Sequence, residues 1–202
     1  MRSEDITAIV LCGGAGIRLG SEDKTLVPLL GRPLVSYTIE ALAPQVGRIV
    51  LGCGRDPGPY AALGHPVVAD LRLGDGPLGG IASALPAIES DWILVHPGDT
   101  PFPDPGLVAR LGPVADARGI AVPRSGDQRQ HLVLLLSRAM ASELVGFYEA
   151  GGRAMRLWLD KLEVEGVDMS DVADTFFNVN TQDDLAEAEQ RLTTAPDHPA
   201  GT

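Results

Sequence analysis

The chain has 202 residues, 45% of them hydrophobic and 21% charged, and a formal net charge of −11. That length suits one domain with a self-sufficient core, and that composition excludes a chain disordered along its length. So acidic a surface repels phosphate backbones, which excludes nucleic acid as a general partner; a phosphate site must be a local device of backbone N–H groups and a few cations.

Apolar runs alternate with helical patterns. Ile6–Leu11 reads as a buried strand and Pro33–Leu42 as a helix with Pro33 in its first turn. Arg48–Cys53 is a second strand, Pro66–Ala69 a short third, and Gly79–Ile88 helical. Trp92–His96 is a strand and Asp104–Leu111 a helix, followed by a polar, loop-like stretch from Gly112 to Asp127 interrupted by the strand Gly119–Val122. His131–Leu136 reads as a strand, Ser137–Glu149 and Arg153–Leu162 as helices, Phe176–Val179 as a late strand and Thr181–Leu192 as the last helix. This alternation predicts an α/β fold: a three-layer, Rossmann-like, mostly parallel sheet with helices on both faces. A single domain over residues 1–192 is expected, with 193–202 a disordered tail.

Cys12 and Cys53 end predicted strands and make no disulfide framework. The four histidines show no zinc-ligand spacing, and no leader or apolar run of about 18 residues is present. The expectation is a reduced, cytoplasmic protein with no membrane partner.

The first strand runs into Leu11-Cys12-Gly13-Gly14-Ala15-Gly16-Ile17-Arg18-Leu19-Gly20, then Ser21-Glu22-Asp23-Lys24. Glycines allow the backbone close to a ligand and let several N–H groups point at one anion. Arg18 can fork onto phosphate oxygens and Lys24 adds a compact charge. Of the 16 basic residues only Lys24 and Lys161 are lysines, so a lysine beside this loop is notable. A P-loop is excluded, because Lys24 follows Gly20 by four. A dinucleotide fingerprint is excluded because Gly20 falls one residue late. A solvated βα turn is the alternative to a phosphate site; the coincidence of strand end, glycines, Arg and Lys favours the phosphate site.

This run, continued through Gly31-Arg32-Pro33-Leu34, resembles the nucleotidyltransferase signature of the molybdenum cofactor guanylyltransferases, which attach GMP to the pterin phosphate of the cofactor. Asp99 follows a strand within His96-Pro97-Gly98-Asp99-Thr100-Pro101, where an isolated Asp could simply cap a turn. The resemblance implies that Asp99 binds Mg²⁺, with Gly98 where relatives often have Cys. A hard cation held by one carboxylate plus substrate phosphates suits that role. Asp70, at the end of a strand, resembles the family's nucleotide-side Asp, and Gly76-Pro77-Leu78-Gly79-Gly80 its Gly-Pro-Leu-x-Gly loop; Asp75 reads as turn chemistry. The resemblance thus assigns Leu11, Cys12, Gly13, Gly14, Lys24, Asp70, Gly79 and Asp99 to the nucleotide, and catalysis to Arg18, Lys24 and Asp99.

Phe177-Asn178-Val179-Asn180-Thr181 precedes the last helix. Asn178 and Asn180, two apart on a strand, would face one side. Thr181 with Asp184 reads as a capping box with Asp for the usual Glu or Gln. The family's Asn-x-Asn-Thr pattern extends the resemblance to about Leu192 and points to Asn178 and Asn180 as contacts for the cofactor substrate. Arg153, with Arg156, is a candidate second anion site. Gly52-Cys53-Gly54 stands where relatives often carry Asn, and Gln130-His131-Leu132-Val133 replaces the usual His-Pro or Gln-Pro start; these departures touch base selectivity and the pterin side. The expected reaction is Mg²⁺-dependent transfer of GMP from GTP to the phosphate of molybdopterin-bound cofactor, with a recipient molybdoenzyme or carrier protein as a further partner. The alternatives are a related enzyme using CTP or another phosphate acceptor, and a non-catalytic nucleotide- or cofactor-binding subunit.

Overall fold

The computed structural model describes residues 1–13, 19 and 23–194. In chain order they form β1 (Ile6–Leu11), a small hairpin of β2 (Pro28–Leu29) and β3 (Arg32–Pro33), α1 (Leu34–Leu42), β4 (Arg48–Cys53) and β5 (Val67–Ala69). There follow α2 (Gly76–Ala84), β6 (Trp92–Pro97), α3 (Leu107–Arg118), β7 (Ile120–Ala121), β8 (Pro123–Ser125), β9 (Gln128–Arg129) and β10 (Leu134–Ser137). The chain continues with α4 (Arg138–Glu149), α5 (Met155–Lys161), β11 (Val167–Asp168) and α6 (Gln182–Thr194).

The main sheet has the order β5-β4-β1-β6-β10-β7. β1 pairs in parallel with β4 and β6, and β4 in parallel with β5; β10 runs antiparallel to both β6 and β7. The chain therefore winds outward from β1 to β5, then crosses back to lay β6 on the other side of β1. That reversal opens a crevice at the carboxyl ends of β1 and β6, where open α/β sheets bind ligands.

Both faces of the sheet are covered, so β1 reads as a continuous apolar run. Ala8 and Val10 face α1 and α3 with Val35, Ile39, Leu107 and Leu111. Ile9 faces the opposite way, in a cluster with Leu78 and Ile81 of α2, Leu144 of α4 and Trp158 of α5. A smaller cluster, including Leu29, Leu34, Val179 and Ala188, seats α6 beside the hairpin. No described helix is long and apolar enough to cross a membrane.

Four predicted elements are corrected. The loop expected from Gly112 is the second half of α3, with Pro113 inside the helix. Gly112-Pro113 looks like a helix breaker, yet the carbonyl that Pro113 leaves without a donor belongs to Ala109, which is exposed to water. Leu111 and Ala115 on the opposite face are fully buried, and that burial carries the helix through. The late strand Phe176–Val179 is not a strand. A 3-10 segment ends at Phe176, and the chain beyond crosses the loop after β6, tied by the Val179 N–H to the Asp99 carbonyl at 2.9 Å. Residues 131–133 turn before β10 starts, closed by Val133 N–H on the Gln130 carbonyl at 2.9 Å. The last helix runs to Thr194, two residues beyond its predicted end; residues 195–202 lie outside the described residues.

Candidate active site

Lys24 projects from a 3-10 segment, Lys24–Leu26, whose first N–H groups are capped by Asp23. Its ammonium forms an ion pair with Asp99 and donates to Asn180 Oδ1 at 3.1 Å. Residues far apart in sequence thus meet at the switch point: Lys24 after β1, Asp99 after β6, and Asn180 before α6. The Asp99 side chain is 9% exposed and the Lys24 side chain 23%, so the pair sits at the floor of a cleft with one edge open.

Two cavities share this floor. The larger, of about 440 Å³, is walled by Leu11, Cys12 and Gly13 at the end of β1, Gly52 and Gly54 at the end of β4, and Asp70 after β5. Gly76, Pro77 and Gly80 of α2 close its far side. The smaller, of about 270 Å³, lies between Arg129, Gln130 and His131 on one side and Thr100, Asn178 and Asn180 on the other. Lys24, Pro97, Asp99 and Leu132 belong to both.

The loop after β6 is fixed from below. Gly98 donates to the Leu11 carbonyl at 2.8 Å, and a Cβ there would meet that oxygen and a Val35 methyl at 3.1 Å. Buried Thr38 of α1 donates to the Thr100 carbonyl at 2.9 Å, and the Thr100 hydroxyl donates to Asn178 Oδ1 at 2.6 Å. At the start of α6 the predicted capping box is present. Asp184 N–H donates to Thr181 Oγ1 at 3.1 Å, and the Asp184 carboxylate accepts the N–H groups of Thr181 and Asn180, each at 2.9 Å. Those bonds hold the Asp184 carboxyl below its ordinary range. Gly13 has φ +95°, a conformation that favours glycine, and its N–H reaches Thr25 Oγ1 at 3.4 Å.

The wall groups are electrically distinct. Burial raises the Asp70 carboxyl to about 6, and among the described residues no hydrogen bond or ion pair holds its carboxylate. Burial likewise pushes the Cys12 thiol well up and the Cys53 thiol to about 11, so neither is a thiolate nucleophile at neutral pH. Buried His96 is lowered to about 4 and stays neutral, its Nδ1 on the Pro97 carbonyl at 2.9 Å. Among the described residues no three His, Cys, Asp or Glu side chains are grouped to cage a metal. The oxygen donors at the junction are the Asp99 carboxylate and the Asn180 amide. That set suits a hard cation which takes its other ligands from substrate phosphates and water, and not zinc.

The chain is similar to known proteins over most of its length. Residues 8–165 match the model of the MobA-like NTP transferase domain. The molybdenum cofactor guanylyltransferase of Shewanella amazonensis is 35% identical over 191 residues, covering 93% of this chain and 97% of that protein. The chain belongs to the MobA-like NTP transferase family. Molybdopterin-guanine dinucleotide biosynthesis protein A from Archaeoglobus fulgidus superposes with a TM-score of 0.73 at 28% identity, covering 94% of this chain and all of that one. A 2-C-methyl-D-erythritol 4-phosphate cytidylyltransferase from Thermus thermophilus, 22% identical, shares the fold with a TM-score of 0.67 over 93% of this chain and 98% of its own.

Within this MobA-like frame, Leu11, Cys12, Gly13, Lys24, Asp70 and Asp99 all line the larger cavity. Gly14 and Arg18 lie outside the described residues. Gly80, not Gly79, faces the cavity; a Cβ at Gly79 would run into Asp75 Cβ at 2.8 Å, so Gly79 serves helix packing. Asn178 and Asn180 do face one side, although the segment carrying them is not a strand. Arg153 is turned to α4: its guanidinium stacks 4.6 Å from the Tyr148 ring centre, and its Nε lies 3.6 Å from Asp75. The arginine that lines the smaller cavity beside Lys24 is Arg129, braced by Asp160 and the Val164 carbonyl. Sequence reasoning passed over Arg129 and Thr100. Thr100 sits inside the recognised Asp99 segment, whereas nothing local marks Arg129.

Proposed function

We propose that this chain transfers GMP from GTP to the phosphate of molybdopterin-bound molybdenum cofactor and releases pyrophosphate. The observation that carries the reading is the pair of cavities meeting over Lys24 and Asp99. A nucleotide seated against Gly13 and Asp70 has its phosphates directed to that junction, and an acceptor between Arg129 and Asn178 approaches the junction from the opposite side. In that arrangement an acceptor phosphate oxygen attacks the α-phosphorus. The bond from the α-phosphorus to its bridging oxygen breaks, and pyrophosphate leaves with that electron pair. Such chemistry asks a protein mainly for positioning and charge stabilisation.

Each chain residue then has a task. The Gly13 backbone approaches the phosphates closely. Lys24 reaches both Asp99 and Asn180, so its ammonium can exchange a carboxylate for a phosphate oxygen without leaving the junction. Asp70 offers an acceptor-only group to the N–H and O–H donors of the base and ribose. Asp99 would hold Mg²⁺, with Asn180 the neighbouring oxygen donor. Bound there, the cation supplies charge neutralisation to the triphosphate.

The test is pyrophosphate release with each of the four nucleoside triphosphates, in Mg²⁺, with and without molybdenum cofactor. Release with GTP that requires the cofactor is the expected result. Calorimetry with GTP, CTP and ATP reads the base directly. Gly52 presents no side-chain amide, and a missing hydrogen bond costs about 0.5–1.5 kcal/mol, so selectivity for guanine is expected to be present but moderate. Tighter binding of CTP would overturn the guanylyl assignment and leave the phosphate site in place.

A further inference from the structure

Of the two described ends of the glycine-rich loop, Asp23 bonds a phenol from a different part of the chain directly and Gly13 is linked to it through Thr25. Tyr60 lies in the 3-10 segment Gly58–Leu63 between β4 and β5, and its ring is almost wholly buried. Its hydroxyl donates to Asp23 Oδ2 and lies 2.7 Å from Thr25 Oγ1. Thr25 in turn donates to Asp23 Oδ1 at 2.8 Å and accepts the Gly13 N–H at 3.4 Å. Lys24 is the residue between Asp23 and Thr25, so the backbone from which its long side chain departs is gripped on both sides. A lysine has four rotatable bonds and places its charge well only when its base is fixed.

From this we infer that Tyr60 is a positioning residue for the reaction proposed above: its hydroxyl clamps both ends of the glycine-rich loop and aims Lys24 at the triphosphate. The inference rests on the nucleotidyl-transfer reading but not on the identity of the base. Burial pushes the phenol above its ordinary value, so the hydroxyl stays a neutral donor across the working range.

The test is a double-mutant cycle on triphosphate binding, measured by calorimetry with whichever triphosphate wild type binds. Tyr60→Phe keeps the ring in the core and removes only the hydroxyl. It should weaken triphosphate binding about tenfold, the scale of a lost hydrogen bond to a charged group. In a Lys24→Ala background the same change should cost less than about twofold, because the residue being aimed is gone. Thr25→Val, which removes the other hydroxyl of the network, should show the same dependence on Lys24 and serves if Tyr60→Phe fails to fold. Wild-type affinity in Tyr60→Phe, or an equal loss with and without Lys24, would overturn the inference. Preference for a base other than guanine overturns the guanylyl assignment alone, and the cycle then runs with that nucleotide.

Discussion

Asp99→Asn separates the chemistry of the junction from its stability. The substitution keeps the shape of the side chain and removes the negative charge that Lys24 pairs with. Deleting one partner of a fully buried ion pair costs about 3–5 kcal/mol, whereas an exposed pair contributes about 0–1 kcal/mol. Here the carboxylate is buried, but the ammonium has an open edge and keeps its bond to Asn180 at 3.1 Å. The stability loss should therefore be about 1–2 kcal/mol. For a chain of this size that is a fall of about 2–8 °C in Tm. Turnover should fall much further, by about 10²–10³, the scale for removing one preorganised charge-stabilising group. The assay is pyrophosphate release across a magnesium titration, run beside thermal melts followed by circular dichroism. Near-wild-type turnover at low magnesium would refute the metal-holding role of Asp99. A loss of activity no larger than the melt explains would reduce Asp99 to a structural anchor.

Lys24→Ala should weaken triphosphate binding and turnover, and Lys24→Arg should not restore them fully, because a planar fork cannot replace a compact ammonium held between Asp99 and Asn180; binding of both variants by calorimetry decides this. Asp70→Asn should weaken nucleotide binding yet stabilise the empty protein at pH 7–8. The folded Asp70 carboxyl titrates near 6 and the unfolded one near 3.9, so wild-type stability falls as pH rises through that window; melts should show the variant's advantage vanish by about pH 4. Asp184→Ala should cost about 1 kcal/mol at pH 7 through loss of the cap. Its folded carboxyl is depressed, so that contribution is present above about pH 3.9 and is lost as pH falls through the folded value; denaturant titrations at pH 7 and pH 2.5 check it.

The residues of the larger cavity are legible in the sequence because their determinants are local. A strand end, glycines, a lysine at fixed spacing and a carboxylate after the next central strand each leave a mark in a short window, and the strand order then places them together. The smaller cavity is assembled from a turn at residues 130–133, a braced arginine and two asparagines on irregular chain, and none of these has a period to read. Asn178 and Asn180 do share a side, but on irregular chain and not by strand alternation, with the Val179 N–H between them pinned to the Asp99 carbonyl. Tyr60 left no signal, since an aromatic in a short apolar segment looks like core, and in its ring it is. The Gly112-Pro113 error shows the converse, where tertiary burial of Leu111 and Ala115 overrides a local breaker.

The crossing of residues 177–180 over the loop after β6 also divides the two cavities along the chain. Among the described residues, those that line the larger cavity all fall at or before Leu132, whereas the smaller one also needs Asn178 and Asn180. A chain cut near residue 165 keeps every described residue that lines the larger cavity, but loses the Asn178 amide oxygen that accepts the Thr100 hydroxyl and the Asn180 amide beside Lys24. A copy cut there keeps the residues of one cavity and loses two of those that wall the other.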